Sequence, residues 1–188
     1  MSDTIRAFIA VKIPALPELH TVMKSLGAMG WPVAAISPDK LHVTLKFLGD
    51  TPVSRVEAIQ REIASAVSGQ PPFVLKVESL GAFPNADRPS VVWVGLLDAE
   101  PLTALAERLQ TSLTSCGFAR ESRPFQPHLT LARIKARPPR ELFDLLRRHA
   151  DTDFGTVEVH SVELIRSELH REGAKYTVLS SQALSLQI

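Results

Sequence analysis

Two short stretches decide how this chain is read: LHVTLKFL at 41–48 and PHLTLAR at 127–133. Each contains His-x-Thr-Leu, as His42-Val43-Thr44-Leu45 and as His128-Leu129-Thr130-Leu131. Both are short, apolar runs of the kind that form strands. On a strand, residues i and i+2 point to one face about 6–7 Å apart. His42 and Thr44 therefore share a face, with Val43, Leu45 and Phe47 on the other. His128 and Thr130 likewise oppose Leu129 and Leu131. The apolar faces are expected to pack on helices, and the His/Thr faces to look into a cleft.

The surrounding elements repeat in the same order. Strands are expected at 4–13, 41–48 and 73–83, then at 91–97, 127–133 and 156–165, with a last one at 176–186. Pro17 and Pro101 each suit a first helical turn. The helices they open carry Leu19, Val22, Met23 and Leu26, and Leu102, Leu105, Leu109 and Leu113, at helical spacing. Ser54 and Glu57 read as a capping box for a helix, and Pro138 and Pro139 precede another bearing Leu142, Leu145 and Leu146. Corresponding elements lie about 86 residues apart, as His42 and His128 do. Two units are too few for a solenoid. The expected fold is α+β, with two pseudo-symmetric β-α-β-α-β lobes, residues 1–88 and 89–188. Each lobe is an antiparallel-rich sheet with helices on its outer face, and the cleft lies between them. The whole, 1–188, is expected to be a single bilobal domain.

Composition narrows the function. The chain has 188 residues, 45% hydrophobic and 22% charged, which is ordinary globular usage and excludes a disordered or fibrous protein. Basic and acidic residues nearly cancel, 21 against 20, so bulk charge announces no nucleic-acid binder. A single cysteine, Cys116, excludes a disulfide framework and a multi-cysteine zinc site. The longest apolar run, Val91 to Leu97, is far short of the roughly 20 residues of a membrane helix, and the first residues do not read as a signal peptide. A soluble, cytoplasmic protein with no membrane association and no obligate protein partner is expected. Charge is locally uneven: between Phe118 and Arg148 stand eight basic and three acidic side chains. That stretch is either a solvated helix face with its loop or a positive field for a phosphate-bearing ligand.

One His-x-Thr strand alone is an ordinary polar strand face. Two, at matching places in a repeat, can converge across a cleft. Hydrolysis of a phosphodiester needs a base to take a proton from water and an acid to protonate the leaving oxygen. Imidazole titrates near pH 6.5, so a neutral and a charged copy can coexist near neutrality. The threonine hydroxyls can donate to non-bridging phosphate oxygens. A metal held by both histidines is the competing reading, but no third ligand stands at convincing spacing. No metal and no cofactor is expected. Arg133 is a candidate phosphate partner, although strict alternation puts it on the Leu129/Leu131 face and only a strand end or bulge would bring it to the cleft. Phe8 is a candidate for stacking a base at the cleft edge, against a plain core role. Trp31 and Trp93 are expected in the core. The residue five after each histidine differs, Phe47 in one half and Arg133 in the other. These residues do not say which histidine is acid and which is base.

The chain resembles the RNA 2′,3′-cyclic phosphodiesterases, also called 2′-5′ RNA ligases, of the two-histidine phosphoesterase superfamily. The resemblance rests on the tandem His-x-Thr motifs and on RAFIAVKIP, LHVTLKFLGD, GAFPNADRPSVVWVG, RPFQPHLTLAR and SELHREGAKYTVL. It implies metal-independent opening of a 2′,3′-cyclic phosphate on RNA or a nucleotide to a 2′-phosphomonoester. It further implies that His42 donates the proton, that His128 activates water, and that Thr44 and Thr130 bind phosphate oxygens. A 2′-5′ RNA ligase or 2′-5′ phosphodiesterase would use the same pair. A non-catalytic RNA-binding module is the reading from another class.

Overall fold

The strand β1 (Thr4–Lys12) is a β-branched, apolar run buried along most of its length. Pro14 and Pro17 follow, and Pro17 opens α1 (Pro17–Ala28), which buries Leu19, Val22, Met23 and Leu26 as its spacing predicts. The chain continues through β2 (Val33–Ala35), β3 (His42–Pro52), α2 (Val56–Val67), β4 (Phe73–Phe83), β5 (Val91–Leu97), α3 (Glu100–Ser112), β6 (His128–Ile134), α4 (Arg140–Arg148), β7 (Asp153–Val159), β8 (Ser161–His170) and β9 (Gly173–Ala183). This is a computed structural model, and it describes residues 3–170 and 173–186.

The strands form two sheets, with orders β3-β1-β8-β9 and β2-β6-β5-β4-β7, and every named pair is antiparallel. Neither sheet belongs to one half of the sequence. β4, from the first half, lies beside β5 in the second sheet, while β8 and β9, from the second half, complete the first. Each repeat lends its third strand to the other sheet. The main apolar core is correspondingly one cluster drawn from both halves, and a second, small one gathers Phe8, Ala10 and Ile165. In α3, Leu102, Leu105 and Leu109 are fully buried, each contributing about 1.5–3 kcal/mol of burial. Among the described residues no helix is long and apolar enough to cross a membrane.

Four local expectations change. The capping box does not form: a 3₁₀ turn, Val53–Arg55, precedes α2, its first residue follows Arg55, and no side chain caps it. Glu57 instead meets Arg61 at 2.9 Å on the surface. The expected strand 156–165 is two strands, because the chain leaves the second sheet after Val159 and enters the first at Ser161. Trp31 is 79% exposed rather than in the core, carried outward by the left-handed turn at Gly30 (φ +59°). Trp93 is half-buried, its indole lying so close over Gly81 that a Cβ there would stand 2.4 Å from the ring.

Candidate active site

The face assignment is set by a bulge that occurs in both motif strands. In β3, Ala10 pairs with Thr44 and Ile9 with Lys46, so Leu45 is an extra residue. In β6, Trp93 pairs with Thr130 and Val92 with Ala132, so Leu131 is the extra residue. The leucine of each His-x-Thr-Leu is thus the bulged residue. A bulge sets two residues of one strand against one of its partner and breaks alternation. Leu45 and Lys46 are both buried, as are Leu131 and Ala132. The next residue then returns to the His/Thr face, where Phe47 and Arg133 are both exposed. Strict alternation puts both on the apolar face, and the bulge overturns that expectation for Phe47.

Each histidine is held in the same way. His42 Nδ1 lies 2.7 Å from the Lys40 carbonyl, and His128 Nδ1 lies 2.7 Å from the Gln126 carbonyl. A carbonyl only accepts, so each Nδ1–H donates and each Nε2 is left for the cleft. Aromatic rings fix both imidazoles. Phe8 and Tyr176 flank His42 at 4.9 and 5.4 Å between centroids. Phe83 meets His128 edge-on at 5.1 Å and packs on Trp93 at 5.3 Å. Phe8 is only 3% exposed, under His42 and against Ala10, Ile165 and Tyr176. The aromatic side chain open to solvent on this strand pair is Phe47, 61% exposed and 6.1 Å from Phe8.

The strands that carry the two motifs meet. β3 and β6 touch across the sheets. The Ile36 amide donates to the Leu131 carbonyl at 2.7 Å, and from there the chain runs directly through Lys40 into His42. Arg133 lies near enough to act on groups of the opposite sheet. Burial holds the His42 imidazole below its ordinary value of 6.5; the Lys40 carbonyl opposes this, and the Arg133 guanidinium adds to the lowering. Burial pushes the Tyr176 hydroxyl up, and Arg133 pulls it back. β3 thus presents an oriented imidazole and a half-buried threonine, and β6 presents the same pair with a guanidinium that acts on His42. Among the described residues no group of three or more His, Cys, Asp and Glu side chains is placed to hold a metal ion.

Lys46 is a further structural member of the site. The bulge turns it inward, where it is 3% exposed and donates to Gln110 Oε1 at 2.7 Å and the Ala119 carbonyl at 2.6 Å, with Glu121 at 3.7 Å. It thereby pins the loop leading to His128 onto the strand carrying His42. Neither Lys46 nor Tyr176 is marked by any motif; their roles depend on the bulge and on the strand exchange.

The two antiparallel sheets with their four helices give the fold of LigT-like structures. A structure from Thermus thermophilus is 28% identical, with a TM-score of 0.80 over 98% of this chain and all of that one. E. coli LigT complexed with 3′-AMP is 26% identical, with a TM-score of 0.73 over 97% of this chain and 99% of that one. The 2′-5′ RNA ligase superfamily model matches residues 33–171, and the chain belongs to that superfamily. A protein of Aeropyrum pernix named RNA 2′,3′-cyclic phosphodiesterase is 39% identical over 164 residues, 86% of this chain and 92% of its own length. One of the same name from Archaeoglobus fulgidus is 34% identical, covering 92% of this chain and 96% of its own.

Proposed function

We propose that the protein is an RNA 2′,3′-cyclic phosphodiesterase that opens the cyclic phosphate to a 2′-phosphomonoester with His42 and His128 as acid and base. The relatives' names support the substrate class. The observation that carries the chemistry is the doubled clamp: two imidazoles on touching strands, each with Nδ1–H tied to a carbonyl and Nε2 left free, with Arg133 acting on His42; in this reading both Nε2 atoms serve one cleft. His128 Nε2 takes a proton from water as its oxygen bonds to phosphorus. The P–O3′ bond breaks on the opposite side, and O3′ takes the proton from His42 Nε2. The product has a 2′-phosphate and a 3′-hydroxyl, and solvent exchange restores both imidazoles. Each transfer is worth roughly 10²–10⁴ in rate.

Thr44 and Thr130 donate to the non-bridging oxygens, and Arg133 neutralises them. Phe8 positions the His42 ring. The base stacks on Phe47, whose face is open. His42, held low by its burial, must be protonated to act, and a bound phosphate anion favours that charge. Two imidazoles supply both proton transfers, so the step draws on no metal. Both lobes contribute, and the chain acts as one bilobal domain.

The test is to mix chelator-treated protein with RNA ending in a 2′,3′-cyclic phosphate and identify the product. A 2′-phosphate is expected. A 3′-phosphate, or dependence on added metal, overturns the mechanism. Binding without turnover favours an RNA-binding module.

A further inference from the structure

A cavity of about 260 Å³ opens beside His42, on the side away from Phe47. Its floor is Tyr176, Val178 and Ile165, and its rim carries Lys12, Lys40 and Lys175 with Asp39. Three ammonium groups therefore face one carboxylate. Lys12 stands directly across from His42 in the β1–β3 register and is tethered to Glu163 at 3.4 Å. Among the described residues neither Lys40 nor Lys175 has an ion-pair partner. A basic pocket that touches the catalytic imidazole, and is not needed for the two proton transfers, is suited to a second anion of the same substrate.

The chemistry of a terminal ribose says which anion that is. The cyclic phosphate occupies O2′ and O3′. The flanking carbons C1′ and C4′ carry the base and the C5′ methylene that bears the 5′-oxygen, so these two groups leave the ring at opposite ends. With phosphorus at His42 and Thr44, Phe47 lies toward one end of β3 and the lysine pocket toward the other. We infer that the pocket formed by Lys12, Lys40 and Lys175 is a subsite for the phosphodiester on the 5′-oxygen of the terminal nucleoside, selecting RNA chains over cyclic mononucleotides. This rests on the reading of the His42/His128 site given above. Hydrogen bonds to an ionised group are about twice as strong as neutral ones, and each neutralised phosphate of a single strand steepens the salt dependence by about 0.7 in the log–log slope.

Three substrates test the inference: a nucleoside 2′,3′-cyclic phosphate, the same with a 5′-phosphate, and a dinucleotide ending in the cyclic phosphate. The dinucleotide is expected to have the higher kcat/KM than the mononucleotide, by about tenfold, with a salt slope steeper by about 0.7. In Lys175→Ala the dinucleotide-to-mononucleotide ratio falls toward one, and Lys175→Arg restores it. A mononucleotide turned over as well as the dinucleotide, with equal salt slopes, overturns the subsite while leaving the two-histidine reading intact. So does an unchanged ratio in a folded Lys175→Ala. An advantage confined to the 5′-phosphorylated mononucleotide contradicts an RNA chain crossing the pocket. Failure to hydrolyse any of the three removes the underlying reading, and the subsite with it.

Discussion

The half-site on β3 and the half-site on β6 share a backbone and differ in what it carries. In both, an i−2 carbonyl orients the imidazole, a threonine follows on the same face, and a bulged leucine redirects the strand. On β3 the redirected residue is Phe47, beside the aromatic bed of Phe8 and Tyr176. On β6 it is Arg133, which acts back on His42 and Tyr176. The duplicated backbone fixes where a fifth residue reaches the cleft. Its side chain decides what is done there, with an apolar platform on one side and a positive charge on the other. The asymmetry matters because two identical histidines have no reason to take different roles, and neighbours of different charge give them one.

Removing either imidazole breaks the comparison most severely. His42→Ala and His128→Ala are each expected to lower kcat by at least about 10², with unchanged circular dichroism and melting temperature. The double variant should lose little more than the worse single one, since the pair acts as a unit. Near-normal turnover in either single variant ends the acid–base assignment.

Lys46→Ala tests whether the two half-sites are fastened together. It strands the Ala119 carbonyl and leaves Gln110 Oε1 only the Glu121 amide, and urea unfolding should report a loss of about 2–3 kcal/mol. A change within about 0.5 kcal/mol would mean that the clamp is immaterial.

Arg133→Ala removes the charge that distinguishes the β6 side. A loss of about 10–10² in kcat/KM is expected. The pH profile gives a sharper readout. A positive neighbour opposes protonation of His42, so without Arg133 the imidazole keeps its proton to higher pH. The limb of the kcat/KM profile that reports His42 should move to higher pH, read as a property of the coupled pair. An unmoved or acid-shifted limb argues against the cross-cleft contact.

Phe47→Ala removes what distinguishes the β3 side and should act mainly on binding. Base stacking is worth about 1–3 kcal/mol, so KM should rise by roughly tenfold with kcat little changed. A fall in kcat at constant KM would instead place Phe47 in support of the His42 ring.

The two motif strands are legible because a doubled motif at one repeat spacing is a strong signal, and strand periodicity puts each Thr beside its His. Phe47 is misplaced by the same periodicity, whereas Arg133 returns to the His/Thr face through a bulge of the kind its position required. Nothing in Leu45-Lys46 or Leu131-Ala132 announces a bulge, since it is a property of the partner strand's register. The exchange of β4 and β8 between sheets was hidden for a related reason: alternation reports burial, not which strand lies alongside. His160 marks a change of sheet with neither Pro nor Gly beside it. Tyr176 reaches His42 only through the β1–β8–β9 pairing, so no local reading could have joined them.

Hydrolysis of a 2′,3′-cyclic phosphorothioate of defined configuration, in isotopically labelled water, tests most directly whether the two imidazoles act from opposite sides of one phosphorus. A single in-line displacement, with base and acid facing each other, predicts inversion at phosphorus. Retention would require a second displacement through a covalent intermediate, and the proposed pairing of His42 and His128 as facing acid and base would then be wrong.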